Sequence, residues 1–491
     1  MAVQVDPGDS VATLLDDARA GDRIEVGSTA VTLASDIGRG HKVALVPIAA
    51  GEAVLKYGFP IGVAQQPIAT GEHVHSHNVA TGLGGTLDYR YDPVAAAQAE
   101  PARDHATFQG YVRGDGRVGT RNEIWVLPTV GCVARTAERI AARSAEVVAG
   151  QVDGVHAFAH PHGCSQLGND LGGTRSILAS LACHPNAGGV LIIGLGCEEN
   201  QLAALMAEIP AWRHGAIRTL VAQTSVDEIA EGCALAAELA AQAATSRTPV
   251  GLDSLVLGVK CGGSDGLSGL TANPLVGRIS DRVAAAGGRV VATEIPEMFG
   301  AERTLMNRAA DADVFDAIVG VVNGFKQYFI DHGEPVSENP SPGNVAGGIT
   351  TLEEKSLGAV QKAGRAPVAD VIGYGRRVTR DGLTILEAPG NDAVSSTALA
   401  AAGATAILFT TGRGTPMGFP VPTVKIASNS DLAARKPGWI DFDAGAVLVD
   451  GFENATDALL ARICAVASGE ETAAERNGER EIAIWKRGVT L

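Results

Sequence analysis

The sequence predicts an α/β protein with a small all-β domain at its N-terminus. Residues 1–80 contain short apolar segments separated by glycine turns, a pattern typical of antiparallel strands. From about residue 108, short apolar runs alternate with longer helical stretches, which indicates a parallel sheet with helices on both faces. Residues 81–107 lack periodicity and are rich in small and polar residues, so we expect a linker between the two regions.

The order of elements follows from these patterns. A break near Thr245–Pro249 predicts two α/β domains, over residues 108–248 and 249–491. The N-terminal strands are predicted at Arg23–Val26, Ala30–Leu33, Val43–Val46 and Ala53–Tyr57. The buried strands of the α/β region are predicted at Ile124–Leu127, Val155–Phe158, Val190–Ile193, Leu255–Val259, Val290–Thr293, Leu383–Leu386 and Ala406–Phe409. The helices are predicted at Ala134–Ala149, Gln201–Glu208, Val226–Ala244 and Ala272–Ala286.

Charge and composition exclude several classes of partner. The net charge is −16 and no basic stripe occurs, which argues against nucleic acid and anionic membrane surfaces. Residues 1–12 lack the features of a signal peptide, and no apolar run approaches the roughly 20 residues of a membrane span. Seven irregularly spaced cysteines favour a reducing compartment, so we expect a cytoplasmic protein.

Four cysteines follow predicted strands, where parallel sheets bind ligands. They are Cys132, Cys164, Cys197 and Cys261. They could bind a metal as thiolates, three of them could hold an iron–sulfur cluster with one open iron, or they could be small residues that let loops pack closely. No C-x-x-C pair occurs, so their spacing does not decide between these arrangements.

A histidine triplet lies near the end of the N-terminal region. His73, His75 and His77 alternate within residues 72–78, and alternate side chains of a strand share one face. Three imidazoles that project together predict a divalent metal site, and the competing interpretation is a polar, solvated strand face.

The sequence resembles the altronate/galactarate dehydratase family, which also includes sulfolactate sulfo-lyase subunits, because it contains long motifs of that family in the same order along the chain. The matching segments are GHK at 40–42, KYGFPIG at 56–62, GEHVHSHN at 71–78, RNEIWVLPTVGCV at 121–133, GCSQLG at 163–168, HPNAGGVLIIGLGCEENQ at 184–201, KCGGSDGLSGLTANP at 260–274, EIPEMFGAE at 294–302, NPSPGNVAGGITTLEEKSLG at 339–358, APGNDAVSSTALAAAGA at 388–404, TTGRGTP at 410–416, PTVKIASNS at 422–430 and WIDFDAG at 439–445. Val345 departs from the family pattern, where lysine is expected.

The resemblance implies an N-terminal SAF domain of the β-clip type and a Rossmann-like α/β portion. It also implies a hydro-lyase that depends on Fe²⁺, with Mn²⁺ as a possible substitute. The implied reaction converts D-altronate to 2-dehydro-3-deoxy-D-gluconate and water. We also expect a homo-oligomer that binds a small anionic sugar acid.

Such an elimination needs a base at C2, stabilisation of the developing charge and an acid at the 3-oxygen. We hypothesise that the histidine triplet binds the iron and that Cys132, Cys197 or Cys261 completes the ligation. The candidate bases or acids are Lys42, His162 and Lys260. The candidate substrate-binding residues are Ser264, Asp265, Asn391 and Arg413.

Other functions stay open at this stage. The substrate could be galactarate or sulfolactate, or the chain could bind sugar acids without catalysis. A nicotinamide oxidoreductase is disfavoured, because Gly194-Leu195-Gly196 never reaches the third glycine of G-x-G-x-x-G.

Overall fold

A computed structural model describes residues 1–27, 29–94 and 106–491. The N-terminal domain is built from small antiparallel sheets, one with the strand order β1-β2-β5-β8 and another with the order β6-β7-β9, beside the hairpin β3-β4. Its strands are β1 (Ala2–Val3), β2 (Val11–Leu14), β3 (Arg23–Val26), β4 (Thr29–Thr32), β5 (Lys42–Ala44), β6 (Ala53–Lys56), β7 (Phe59–Ala64), β8 (His73–Val74) and β9 (Val79–Ala80).

Valine, isoleucine and leucine from these strands fill two small cores, because each strand turns its apolar side inward. One of these cores also contains Ala301 and Leu357 from the C-terminal region. The β domain is therefore packed directly against the α/β region. That contact positions the functional site described below.

The second region contains a four-stranded parallel sheet with the order β13-β12-β14-β15. Its elements are β10 (Thr107–Val112), β11 (Val118–Gly119), β12 (Glu123–Pro128), α1 (Ala134–Val147), β13 (Gly154–Ala157), α2 (Asn169–Ala182), β14 (Ala187–Gly194), α3 (Leu202–Glu208), β15 (Ile217–Val221), α4 (Glu228–Ala243) and β16 (Thr248–Gly251). Every residue of β12 is buried, which explains why the residues after Glu123 form a continuous apolar run.

The third region contains a seven-stranded parallel sheet with the order β19-β20-β18-β17-β21-β22-β23. Its elements are β17 (Val256–Cys261), α5 (Ala272–Ala285), β18 (Arg289–Ala292), α6 (Glu302–Met306), α7 (Ala312–Asp331), α8 (Pro342–Ala346), α9 (Leu352–Ala359), β19 (Val368–Ile372), β20 (Gly382–Leu386), α10 (Asp392–Ala401), β21 (Ala406–Thr411), β22 (Thr423–Ala427), α11 (Ser430–Arg435), β23 (Phe442–Asp443), α12 (Val447–Asp450), α13 (Phe452–Ala467) and α14 (Ala473–Arg476).

The two α/β regions share one apolar core. Trp125 and Leu127 of β12 belong to the same buried cluster as Leu399 of α10 and Ile407 of β21. A separate small antiparallel sheet, β11-β10-β16, pairs Thr107–Val112 with Thr248–Gly251 where the chain passes from one region to the next. These contacts hold the parallel sheets in a fixed relation.

The prediction of an α/β protein with a small N-terminal β domain is confirmed. Within the predicted linker at 81–107, residues 95–105 lie outside the described part of the chain. Residues 81–94 run along the third region, where the Tyr91 hydroxyl donates to the Ala309 carbonyl at 2.8 Å. Among the described residues, no helix is both long and apolar enough to cross a bilayer.

Candidate active site

The histidine triplet does not lie on one strand, as the alternation predicted. Strand β8 ends at Val74, and residues 75–78 form a turn that the Asn78 side chain closes by accepting from the His75 N–H at 2.9 Å. The turn nevertheless keeps the imidazoles together. The ring centroids of His73 and His75 are 5.4 Å apart, and those of His73 and His77 are 5.3 Å apart.

A fourth imidazole, which the sequence reasoning missed, completes the cluster. The ring centroid of His41 lies 5.1 Å from that of His73 and 4.9 Å from that of His75. The His41 Nδ1 and His73 Nε2 atoms are 3.1 Å apart. The sequence contained one indication of His41, because it lies in the GHK segment directly before Lys42, which was predicted as a candidate base or acid.

The local environment keeps the imidazoles of His41, His73 and His75 neutral. Burial, followed by the charges of the nearby imidazoles and of Lys42, lowers the pKa of His73 to about 3. Burial also lowers the pKa of His75 to about 4, with the charge of Lys42 as the next cause. The pKa of His41 is lowered by the same two causes. Neutral imidazole is the form that binds metal ions.

The cluster fits a divalent ion in its donor chemistry and in one measured separation, but no three imidazole nitrogens of the described residues lie within 4.8 Å of one another, so a third ring would have to turn toward the ion. Two nitrogens that bind one ion at about 2.1 Å on adjacent octahedral positions lie about 3 Å apart. The 3.1 Å between His41 Nδ1 and His73 Nε2 matches that separation. The His75 Nδ1 lies 2.9 Å from the Thr350 hydroxyl, which leaves its Nε2 available as a third donor.

A buried charge triad attaches this cluster to the C-terminal region. The Glu354 carboxylate accepts from Lys42 Nζ and Lys56 Nζ, each at 2.8 Å, and from the backbone N–H of Thr350. Lys42 also donates to the Gly348 carbonyl at 2.8 Å. The lysines come from the β domain and Glu354 from α9, so the triad fixes the imidazoles over the α/β region.

The opposite wall of the site contains buried acids and lysines at the ends of β17 and β18. Cys261 donates to Glu297 at 3.1 Å, and Lys355 donates to the other Glu297 oxygen at 2.7 Å. Lys260 lies 3.2 Å from Glu294. Lys260 and Lys355 therefore balance the charges of Glu294 and Glu297.

Cys261, Glu294 and Glu297 are the only described His, Cys, Asp or Glu trio whose ligand atoms all lie within 4.8 Å. Its lysine neighbours argue against a cation there. Lys260, Lys355 and Lys362 all lie within 3.5 Å of its carboxylates. Burial also raises the pKa of the Cys261 thiol to about 12, so the protonated thiol is favoured.

Lys260 places a further carboxylate at the site. Its ammonium group donates to Asp392 Oδ1 at 2.6 Å and is fully buried, whereas the Asp392 side chain is 37% exposed. The pKa of Lys260 is raised despite its burial, because Glu294 and Asp392 stabilise the charge. Asp392 is the first residue of α10, whose N-terminus Asn391 caps by accepting from the N–H groups of Ala393 and Val394.

These two walls enclose a cavity of about 1020 Å³. Its polar lining is supplied from both sides, and aromatic side chains of α7 form one end. The residues that carry the chemistry of the lining are His41, His75, Glu297, Asn339, Lys355 and Asp392. The space is sufficient for a six-carbon acid, since ligand cavities commonly measure about 300–1,000 Å³.

The selected substrate-binding residues divide into two groups. Ser264 is buried and its carbonyl accepts from the Asn344 side chain, and Asp265 accepts from Ser268, Ser428 and Asn429, so both hold neighbouring loops together. Arg413 is exposed beside Gly263, to whose carbonyl its backbone N–H donates, and its guanidinium group forms no hydrogen bond or ion pair with the described residues, which leaves that group available for an anion. The oxygen of Asn391 is used by its helix cap.

His162, Cys132 and Cys197 lie at the other parallel sheet. They follow β13, β12 and β14, and they are not among the residues that line the cavity. Cys132, Cys164 and Cys197 are all exposed. Of the selected cysteines, the structure thus places Cys261 beside this cavity and the other two elsewhere.

Lys355, Glu297 and Asp392 were also missed. Each lies within a segment already matched to the family, at 339–358, 294–302 and 388–404. However, no local spacing relates these three segments, because the strand order of the sheet brings them together.

Neutral imidazoles opposite a lysine–carboxylate set define an acid–base enzyme for a small polar substrate. Comparison with family models identifies the class of enzyme more specifically. An altronate/galactarate dehydratase SAF domain matches residues 1–82, a D-galactarate dehydratase/altronate hydrolase second domain matches 110–244, and a D-galactarate/altronate dehydratase C-terminal domain matches 252–490. The chain belongs to the altronate/galactarate dehydratase family and is a hydro-lyase.

Its relatives include altronate dehydratase of Escherichia coli (strain K12), 50% identical over 98% of both chains. The altronate dehydratase of Bacillus subtilis (strain 168) is 47% identical over 100% of this chain and 99% of its own. Galactarate dehydratase (L-threo-forming) of Escherichia coli (strain K12) is 32% identical over 91% of this chain and 88% of its own. The resemblance predicted from the motifs is confirmed.

Proposed function

We propose that this enzyme uses Fe²⁺ to convert D-altronate to 2-dehydro-3-deoxy-D-gluconate and water. The observation that carries the proposal is the cavity between the imidazole cluster and the lysine–carboxylate wall. The choice of substrate is supported by the two relatives named as altronate dehydratases, which are 50% and 47% identical. The galactarate enzyme is more distant, at 32%.

The iron would be held by His41, His73 and His75, with His77 at the edge of the cluster. Fe²⁺ or Mn²⁺ held there would supply a Lewis acid for the negative charge that develops on the substrate. The Thr350 hydroxyl orients the His75 ring from the opposite nitrogen.

Asp392 is the residue we propose as the proton acceptor at C2. Of the cavity carboxylates, Glu297 already uses one oxygen for Lys355 and the other for Cys261. Asp392 binds Lys260 through Oδ1 and is partly exposed, so its Oδ2 can face the substrate. Glu338 lies at the exposed rim. General base catalysis of this kind contributes about 10²–10⁴-fold to the rate.

Lys355 is the proposed proton donor to the 3-oxygen. Glu297 raises the pKa of Lys355 despite its burial, so its ammonium group is protonated at neutral pH. The C2–H electron pair forms the C2–C3 double bond as the C3–O bond breaks, and the leaving hydroxide takes a proton from Lys355 to become water. The enol then gives its hydroxyl proton to solvent and takes a proton at C3 to form the ketone. Proton exchange with solvent restores Asp392 and Lys355.

Lys42 and Lys260 have no exposed side-chain surface, so we propose that both act through neighbouring carboxylates. Lys260 positions Asp392, and Lys42 positions the imidazole cluster through Glu354. Arg413, at the rim, would attract the substrate's carboxylate. His162 does not line this cavity, so we assign it no part in the proposed reaction.

A cysteine-bound iron–sulfur cluster is the alternative for the iron. The observation in its favour is that Cys132, Cys164 and Cys197 are exposed and follow adjacent strands of one sheet. Acid-labile sulfide and broad visible absorbance in anaerobic protein would support that alternative. Colourless, active protein with one ferrous ion would support the imidazole site.

The test is an anaerobic assay with Fe²⁺ and D-altronate, scored for 2-keto-3-deoxy acid, with galactarate and sulfolactate in parallel. We expect turnover of D-altronate to exceed that of the other acids. Preferential turnover of galactarate or sulfolactate would overturn the substrate assignment. Binding of D-altronate without any product, even with Fe²⁺ and reductant, would instead indicate a sugar-acid binding protein.

We also propose that the enzyme is a cytoplasmic homo-oligomer. Light scattering coupled to size-exclusion chromatography measures the mass of the assembly directly. A mass of about 50 kDa, the mass of one chain, would contradict it.

A further inference from the structure

A second cavity, of about 370 Å³, lies between the two α/β regions on the face opposite the candidate active site. Its lining comes from the amino-terminal ends of strands in both sheets, whereas the active-site residues follow the carboxyl ends. Pro185 precedes β14, Ser254 precedes β17, Arg289 begins β18 and Gly403 precedes β21. The cavity is thus separate from the dehydratase site.

Three arginines line this cavity, and two have partners. Arg117 forms an ion pair with Asp115 at 2.7 Å, and Arg289 forms one with Asp381 at 2.9 Å. Arg377 forms no hydrogen bond or ion pair with any described residue, although it is partly buried. The remaining carboxylate of the lining, Asp253, lies beyond ion-pair distance of any described arginine.

Additional positive charge lies behind the lining. Arg213 is 7% exposed and donates to two backbone carbonyls, Ala182 and Ala187, instead of a carboxylate. Burial lowers the pKa of Arg113 to about 10, and the charge of Arg213 is the second cause. These guanidinium groups repel one another in a chain whose net charge is −16. An anion would relieve that repulsion.

The rest of the lining is apolar, from Val118, Val256, Val378 and Ala402. A guanidinium fork binds the oxygens of phosphate or carboxylate groups, and the apolar wall suits a carbon body. We propose that this cavity binds the oxyanion group of a small metabolite on Arg377. The bound anion would bridge the two α/β regions and stabilise them against unfolding.

The first probe is inorganic phosphate, titrated into the complete protein by calorimetry at constant ionic strength. We expect the wild-type protein to bind it, and Arg377→Gln to weaken binding at least about tenfold, since a hydrogen bond to a charged group is lost. Arg376→Gln is the matched control, because Arg376 is an exposed neighbour that does not line the cavity. It should bind phosphate as the wild type does.

Ser254→Asp is a second variant, which adds a repelling carboxylate to the lining without removing an arginine. It should also weaken binding, and this result stands if Arg377→Gln fails to fold. D-gluconate as a parallel probe distinguishes a carboxylate ligand from a phosphate ligand. If neither probe binds at millimolar concentration, or if Arg377→Gln and Arg376→Gln bind equally, the proposal is wrong.

Discussion

Replacing Glu354 by glutamine should destabilise the protein strongly, because it leaves two buried ammonium groups without a counter-charge. The Glu354 side chain is 2% exposed, and those of Lys42 and Lys56 are 0% and 1% exposed. The two lysines lower the pKa of Glu354 from its ordinary 4.5 to about 2, which corresponds to about 3 kcal/mol in favour of the folded state. This stabilisation is complete above about pH 4.5 and is lost as the pH falls toward 2.

Burial of Lys42 opposes that gain. Desolvation lowers the pKa of Lys42 from 10.5 to about 8, a penalty of about 3 kcal/mol at neutral pH. Lys56 acts in the other direction, because Glu354 raises the pKa of Lys56 despite its burial. The three charges offset their burial cost only while all are present, and the loss of one partner of a buried pair costs about 3–5 kcal/mol. We expect a decrease of that size in the free energy of unfolding for Glu354→Gln.

Urea denaturation followed by circular dichroism measures this decrease. Glu353→Gln is the matched control, because the adjacent Glu353 is also buried but, among the described residues, its carboxylate accepts only from Thr81 and the N–H of Gly82. It should cost about 1 kcal/mol or less. Replacing Lys42 and Lys56 by methionine and Glu354 by leucine in the same protein should restore most of the stability. A loss below about 1 kcal/mol for Glu354→Gln would refute the reasoning.

Three further predictions concern catalysis, metal binding and acid stability. Asp392→Asn should lower kcat about 10²-fold or more in the D-altronate assay with little change in KM, and unchanged kcat would remove Asp392 as the base. His41→Ala should weaken Fe²⁺ binding at least about tenfold by anaerobic titration, whereas His214→Ala, outside the cavity, should not. Burial lowers the pKa of His184 to about 3, so below about pH 6.5 its protonation favours the unfolded state. His184→Gln should therefore reduce the acid slope of stability by about 1.4 kcal/mol per pH unit between pH 6 and 4; an unchanged slope would contradict this.

The sequence predicted the architecture well, because local patterns determine it. Strand β3 occupies Arg23–Val26 as expected, and α5, predicted at Ala272–Ala286, ends one residue earlier. The site was harder to predict. His73 and His75 were identified from their spacing, but they converge through a turn that Asn78 closes and not through strand alternation.

Long-range contacts explain the remaining differences. His41 reaches His73 because β5 pairs with β8, and no spacing in the chain reveals that pairing. Asp392 and Lys260 meet only once α10 is packed against β17. Cys132 and Cys197 follow strands and Cys261 ends one, yet the first two belong to the other sheet, since position at the end of a strand does not specify which sheet contains that strand.

The most direct test of the proposed site, in which the imidazole cluster of the β domain faces the lysine–carboxylate wall of the α/β region, is a crystal structure. The crystal would contain anaerobic, Fe²⁺-loaded enzyme with D-altronate, and the iron would be located by anomalous scattering at the iron edge. We predict one iron peak within bonding distance, about 2.1 Å, of nitrogens of His41 and His73, with the sugar acid between them and Asp392. An iron peak beside Cys132, Cys164 and Cys197, with none at the imidazoles, would contradict the proposal.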